Sequence, residues 1–195
     1  MSTFRLIGPA ALLCAGALAL AACASTASRQ EGDQPAEQPA GPRPGPRLGL
    51  GQTPSAAQIR AWDIDVRADG AGLPPGAGSV LQGRAIYEAR CLSCHGANGE
   101  KGIAPRLAGG QGTLASKTPV LTVGSYWPYA TTLYDYIHRA MPLDSPQSLT
   151  PDEVYAVTAY TLHLNGILQA DAVLDAASLA AIRMPNRDGF KPVLK

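Results

Sequence analysis

The segment Cys91-Leu92-Ser93-Cys94-His95 constrains this chain more than any other feature of its sequence. Two cysteines three positions apart, followed directly by a histidine, form the C-x-x-C-H pattern of covalent haem attachment. Each thiol adds to one vinyl group at the same haem edge, and the adjacent imidazole then ligates the iron. The motif therefore predicts one covalently bound haem c, held by Cys91 and Cys94, with His95 as an axial ligand.

Two other kinds of site use paired cysteines. A redox C-x-x-C motif is typical of a βαβ context, and no such pattern is visible in this sequence. A zinc site needs a second pair of Cys or His ligands, but the remaining histidines, His138 and His163, lie far apart along the chain. The haem interpretation is favoured because signs of export, the predicted helices and the flanking segments all agree with it.

The first 22 residues have the features of an export signal. Arg5 is followed by an apolar run that is too short to span a bilayer. The run ends in a Leu-Ala-Ala-Cys sequence at Cys23, which is similar to a bacterial lipoprotein cleavage box, where the cysteine is diacylated. Residues 1–22 are therefore predicted to be a lipoprotein signal peptide, with Cys23 anchoring a periplasmic protein to a membrane. The alternative is ordinary cleavage near Ala22.

All four cysteines then have an assignment. Cys14 is removed with the signal, Cys23 carries lipid, and Cys91 and Cys94 bind haem, so no pair is left for a disulfide. The formal net charge of +1 includes Arg5, so the chain without its signal has equal numbers of acidic and basic side chains. This balance gives no indication of binding to nucleic acid.

Composition divides the rest of the chain into four parts. Residues 23–53 are rich in Gly and Pro and are predicted to form a flexible tether. Residues 54–78 are predicted to pack on the main domain as an N-terminal extension. The apolar residues behind that prediction are Ile59, Trp62, Ile64 and Val66. A compact domain is predicted for residues 79–166 and a C-terminal extension for residues 167–195.

Three helices are predicted in the compact domain. The first begins after an N-cap at Ser79 and places Cys91 at its end. The second is expected from about Ala130 to Ala140. The third begins with a capping box at Thr150 and is ended by Gly166. Because no strand pattern is visible, the fold class is predicted to be all-α.

Residues 79–166 resemble the class I cytochrome c family. Gly83 and Tyr87 on the first helix and Tyr160 on the last correspond to the residues at which these helices pack closely in that family. The resemblance implies the class I cytochrome c fold around one haem, with the terminal extensions wrapping the domain. It also implies roles for two loop residues. Pro105 would accept a hydrogen bond from the axial histidine through its carbonyl, and Leu107 would pack on the haem.

The same resemblance implies a sixth ligand for the iron. Met141-Pro142 lies shortly before the last helix, where the family keeps a methionine thioether. Met141 could instead be a packing residue, and its rivals as ligand are His138, His163 and Met184.

Two aromatic side chains near this segment are further candidates. Tyr126 and Trp127 could hold the haem propionates and close the pocket, or could only pack in the core.

Three segments carry a narrower resemblance: Trp62 to Arg67, Trp127 to Met141, and Met184 to Phe190. Together they resemble the cytochrome c subunits paired with molybdenum sulfite dehydrogenases and the haem subunit of sulfane dehydrogenase, all from bacterial sulfur oxidation. The sulfane dehydrogenase subunit typically has a second haem domain, whereas this chain has one C-x-x-C-H motif, which favours a separate, lipid-anchored partner.

The resemblance implies an electron carrier rather than an enzyme. It would accept electrons from a periplasmic dehydrogenase, with a molybdenum sulfite dehydrogenase as the leading expectation, and pass them to a downstream cytochrome or oxidase. Two alternatives stay open: a different donor, such as an alcohol dehydrogenase, and a haem enzyme or sensor with an open iron position.

Overall fold

A computed structural model of the chain describes residues 49–100, 102–191 and 193. The chain divides into two units, Met1–Gly51 and Gln52–Lys195, and the fold described below is that of the second. The predicted signal peptide, Cys23 and most of the predicted tether lie outside the described residues. Among the residues that are described, no helix is both long enough and apolar enough to cross a bilayer.

Six helices and two short strands are present in the described part of the chain. Their order is α1 (Ala56–Trp62), β1 (Ala77–Ser79), α2 (Val80–Arg90), α3 (Leu92–His95), α4 (Ala130–Ala140), α5 (Pro151–Leu164), β2 (Val173–Asp175) and α6 (Ala176–Ala181).

The three predicted main helices are α2, α4 and α5. Ser79 and Thr150 are N-caps, and each forms a capping box with the residue three positions later, Gln82 or Glu153. Such boxes satisfy amide donors that the first turn of a helix leaves without partners. The start signals in the sequence therefore correctly located both helices.

Helix α5 is the centre of the core, since every residue from Val154 to Leu162 is buried. Helix α2 packs on it through Gly83, where a Cβ would lie only 1.8 Å from the carbonyl oxygen of Ala156. Beside this contact the rings of Tyr87 and Tyr160 lie 5.2 Å apart between centroids. The absence of a side chain at Gly83 is thus what lets the two helices approach.

A short antiparallel β-pair departs from the expectation of a fold without strands. Gly78 in β1 pairs with Leu174 in β2, and so joins the start of α2 to the C-terminal extension. Each strand has three residues, which is too short for the alternation of polar and apolar side chains that predicts a strand. The architecture is otherwise helical, as predicted.

The N-terminal extension packs on the domain only in its second half, which corrects the expectation for residues 54–78. Ile59 is 50% exposed and Trp62 is 86% exposed, and α1 has no buried residue. Val66, by contrast, is buried, and its amide donates to the carboxylate of Asp135 in α4 at 2.9 Å. A seven-residue helix presents few side chains to a core, and here its apolar ones point to solvent.

The C-terminal extension contributes buried side chains to the core. Leu174, Leu179 and Met184 are each at most 2% exposed and belong to the same apolar cluster as α4 and α5. Residues 167–184 are therefore part of the folded unit rather than an appended tail.

The close packing at Gly83 can be tested by Gly83→Ala. Alanine would gain about 1 kcal/mol of helix propensity, but its Cβ would overlap the Ala156 carbonyl. Overpacking of this kind typically costs about 1–3 kcal/mol, and occasionally more. We therefore expect a net loss of stability in chemical denaturation of the haem-loaded protein.

Ala85→Ser is the matched control, because Ala85 is an exposed residue on the same helix and should change stability by less than about 0.5 kcal/mol. If Gly83→Ala were as stable as the wild type, the proposed role of the α2–α5 contact would be wrong.

Candidate haem-binding site

The C-x-x-C-H residues form a single helical turn directly after α2. Cys91 caps α2, with its amide donating to the carbonyl of Tyr87 at 2.9 Å, and the amide of His95 donates to the carbonyl of Cys91 at 3.0 Å. Positions i, i+3 and i+4 of a helical turn share one face. The backbone thus brings Cys91, Cys94 and His95 to the same side.

The next residue fixes the end of this turn. The hydroxyl of Tyr87 donates to the carbonyl of Gly96 at 2.8 Å, and Gly96 adopts a φ of 75°, a conformation that favours glycine. Burial raises the pKa of Tyr87 to about 12, so the phenol stays protonated and able to donate at neutral pH.

Both thiols of the motif are free. Cys94 is exposed, whereas Cys91 is half-buried and packs against the core. Burial raises the pKa of the Cys91 thiol to about 11, with the neighbouring Arg90 opposing the shift and Cys94 adding to it. Cys91 is therefore a neutral thiol at pH 7. Its apolar surroundings, rather than its raised pKa, suit an uncharged thioether to an apolar ring, because the thiolate is the more reactive form of a cysteine.

The ring of His95 is oriented by Pro105. Its Nδ1 lies 2.9 Å from the carbonyl oxygen of Pro105, the hydrogen bond that the family resemblance implied. A carbonyl only accepts, so Nδ1 carries the proton, and in the neutral imidazole Nε2 then has the lone pair that a metal ion needs. A hydrogen bond of this kind also raises the basicity of the ligand.

The loop that carries Pro105 is held against the motif by backbone contacts. A Cβ at Gly102 would lie 2.0 Å from the carbonyl oxygen of Cys94, and the amide of Ala104 donates to that same oxygen at 2.9 Å. The amide of Leu107 donates to the carbonyl of Gly99 at 2.7 Å. Glycine at position 102 is required because the backbone passes so close to Cys94.

Met141 is the predicted sixth ligand. It is the C-cap of α4, is half-buried and packs on the core. The segment that follows it is tied to the end of α2, where the guanidinium of Arg90 donates to the hydroxyls of Ser145 and Ser148 at 3.0 and 2.9 Å. Because Arg90 precedes Cys91, this contact links the Met141 segment to the haem-attachment turn.

The rival ligands lie in different surroundings. Met184 is 1% exposed within the core, and Nδ1 of His163 lies 2.9 Å from the carbonyl oxygen of Leu168. His138 lies on the face of α4 that carries Tyr134, with ring centroids 5.9 Å apart. Its Nδ1 is buried without a hydrogen-bond partner among the described residues. Met184 and one ring nitrogen of His163 are thus engaged elsewhere, and the choice between Met141 and His138 stays a prediction.

Tyr126 and Trp127 both make packing contacts, and those of Tyr126 are with the C-terminal part of the chain. Tyr126 meets Phe190 edge to face at a centroid distance of 5.1 Å, and the side-chain amide of Asn186 donates to the Tyr126 carbonyl at 2.6 Å. Trp127 is half-buried against the core and meets Tyr136 at 5.9 Å. Packing is thus present for both residues, and a role in holding haem propionates stays a prediction.

Donors and surroundings at this site fit a covalently bound haem. The motif offers two free thiols and an imidazole whose Nε2 is available, and Met141 offers a thioether. Four of the candidate side chains are apolar, only partly buried and packed against the core, so part of each is left to contact an apolar group: Cys91, Leu107, Trp127 and Met141. No group of three or more Cys, His, Asp or Glu side chains in the described ranges is arranged to hold a metal ion.

Two sets of hydrogen bonds that position the site were not predicted from the sequence. One joins Arg90 to the segment that follows Met141, and the other surrounds Asn165, the C-cap of α5. An arginine directly before a C-x-x-C-H motif does not indicate which residues its guanidinium will bond. Asn165 precedes Gly166, which suggested a helix end but nothing more.

Comparison with known proteins supports the same assignment. The cytochrome c family model matches residues 80–165. A chain in the crystal structure of the sulfane dehydrogenase SoxCD from Paracoccus pantotrophus superposes with a TM-score of 0.71 and 46% sequence identity, over 75% of this chain and 72% of that one. No curated protein shows a significant match. The SoxCD match covers a larger share of this chain than residues 80–195 make up, so it must include residues before Val80. This chain belongs to the cytochrome c family.

Proposed function

We propose that this protein is a one-electron carrier in which a single haem c is bound through Cys91 and Cys94, with His95 and Met141 as the axial ligands. The observation that carries the proposal is the contact between His95 and Pro105, because it leaves the imidazole Nε2 free for a metal ion beside two free thiols. Covalent haem is what membership in the cytochrome c family implies, and the count of one follows from one C-x-x-C-H motif.

In this proposal the haem supplies reversible one-electron chemistry at its iron. The chain's own residues set its environment. Pro105 orients the imidazole and increases its basicity, whereas a thioether from Met141 favours the reduced iron and raises the potential. Leu107 and Trp127 limit the access of water to the site.

For the electron donor we propose a periplasmic dehydrogenase that oxidises a sulfur compound. The match to a chain of a sulfane dehydrogenase structure at 46% identity supports this class of donor. Sequence resemblance favoured a molybdenum sulfite dehydrogenase, and the structural match makes a sulfane dehydrogenase the second candidate. The electron acceptor would be a downstream cytochrome or oxidase.

Stopped-flow reduction of the oxidised, haem-loaded protein tests the donor. Purified sulfite, sulfane and alcohol dehydrogenases are each mixed with it in the presence of their substrates, and haem absorbance is followed. Rapid reduction by a sulfur-compound dehydrogenase alone supports the proposal. Reduction by the alcohol dehydrogenase alone would assign the carrier to another pathway.

A partner surface is proposed around the attachment turn. Ile103 is 90% exposed, and its neighbours Gly102 and Ala104 both contact the backbone of Cys94. Leu143 is 78% exposed on the segment that Arg90 ties to the turn. Exposed aliphatic side chains beside a redox centre suit the small, transient interfaces of electron transfer.

The sixth ligand can be tested by making the same change at both described methionines. Met141→Leu should remove the long-wavelength sulfur-to-iron band, lower the reduction potential and let the reduced iron bind carbon monoxide. Met184→Leu replaces a core side chain with one of similar volume, so it should keep the band and the potential. Absorption spectra and redox titration provide the measurements. Survival of the band in Met141→Leu would contradict the assignment.

The partner surface can be tested by Leu143→Ser. The variant should slow reduction by the dehydrogenase several-fold and leave the potential unchanged, because it removes apolar contact area without touching the ligands. Leu81→Ser is the matched control: Leu81 is 75% exposed but lies about ten residues before Cys91, roughly 15 Å along α2. Equal rates for the two variants would show that the donor docks elsewhere.

We further propose that the protein is held at a membrane in the periplasm by lipid on Cys23. The signal sequence and the cysteine at the cleavage position support this. Cys23→Ser should move the protein from the membrane fraction to the soluble fraction, since a lipidated N-terminus is then no longer formed. Fractionation and immunoblotting measure the change. A variant that is processed normally and stays with the membrane would contradict lipid anchoring.

A further inference from the structure

Asn165 is a buried amide at the end of α5, and all of its side-chain hydrogen-bonding capacity is used. Its Nδ2 donates to the carbonyls of Leu107 and Thr161 at 3.0 and 2.9 Å. Its Oδ1 accepts from the amide of Gly109 at 3.3 Å and from the side chain of Gln111 at 3.4 Å. The residue is 8% exposed. A buried amide whose donors and acceptor all have partners fixes where those partners must lie.

Most of these hydrogen bonds are not needed to end a helix. Only the one to Thr161 lies within α5, and the other three reach the loop that follows Pro105. Gly124 also packs against this amide, so closely that a Cβ there would lie 2.3 Å from the Asn165 Oδ1. Asn165 therefore lies between α5 and two parts of the loop, at residues 107–111 and at Gly124.

The same loop is held from its other side by the haem-attachment region. Leu107 donates its amide to the carbonyl of Gly99 and accepts at its own carbonyl from both Asn165 and Val123. Leu107 is thus fixed at both backbone groups. Pro105 lies two residues before this fixed point, and its carbonyl is the acceptor for the His95 ring.

We propose that Asn165 is a positioning residue for the haem iron: its side-chain amide holds residues 107–111, and through them the Pro105 carbonyl, against the His95 ring. This inference rests on the proposal that His95 ligates the iron. The hydrogen bonds of Asn165 reach neither His95 nor Met141. Its loss should weaken the His95–Pro105 hydrogen bond, make the imidazole less basic and raise the reduction potential.

The wild-type protein provides a first test without substitution. In NMR hydrogen exchange of the haem-loaded protein, the Nδ1 proton of His95 should be identifiable as that of an iron ligand. It should exchange together with the Asn165 side-chain protons and the Gly109 amide as mild denaturant is added, because one local opening exposes all three. Independent exchange of the Asn165 protons would overturn the inference.

Asn165→Ala supplies the second test. We expect the His95 Nδ1 proton to exchange at least about tenfold faster, following the loss of an ordering contact, and the potential to rise. Leu179→Ala is the control, because Leu179 is fully buried in α6 and its loss lowers global stability without touching the loop. If Asn165→Ala does not accumulate with haem, Gln111→Ala is the second variant. It removes the two hydrogen bonds that this exposed side chain donates to the backbone carbonyl and the Oδ1 of Asn165, and it should show a smaller change of the same sign.

The outcomes separate the two proposals. Unchanged exchange and potential in Asn165→Ala, or a change matched by Leu179→Ala, would leave Asn165 as only a helix cap and overturn the inference. A wild-type spectrum in which His95 is not an iron ligand would instead overturn the proposed function.

Discussion

The backbone contact between Gly83 and Ala156 is the constraint on which the rest of this structure depends. It brings α2 against α5, the most buried helix, and thereby fixes where α2 ends. Because Cys91 caps α2 and the C-x-x-C-H turn follows at once, the position of the redox site is set by how closely two helices approach. A side chain at Gly83 would move the attachment turn together with the helix, so stability and function share this one contact.

Two loops complete the site, and each is held by polar contacts to a helix end. The loop with Pro105 is fixed by Gly99 on one side and by Asn165 on the other, whereas the segment after Met141 is fixed by Arg90. Loops that must keep the proposed iron ligands in place cannot depend on apolar packing alone, because most of their side chains are exposed or only partly buried. Directional hydrogen bonds to rigid helices fix the loop positions that apolar packing leaves undetermined.

The segments outside the cytochrome core differ in what they do for the fold. Residues after α5 return along the domain, pair with β1 and bury Leu179 and Met184, and so stabilise it. The segment before β1 is anchored by Val66 and Asp135, but α1 leaves Trp62 exposed. A core of this size draws on apolar residues far apart in sequence, and periodicity in one segment does not reveal which of them will be used.

The sequence by itself determined the haem chemistry, the three main helices and the start of two of them, because C-x-x-C-H and capping boxes are local patterns that act within a few residues. Resemblance to a family added the pairing of His95 with Pro105, which the structure contains, and the choice of Met141. Only the tertiary structure decided that Trp62 is exposed, that β1 pairs with β2, and that Asn165 and Arg90 hold the two loops. Those contacts join residues more than 50 positions apart, and an amide or a guanidinium gives no sign in sequence of which distant carbonyl or hydroxyl the fold will place beside it.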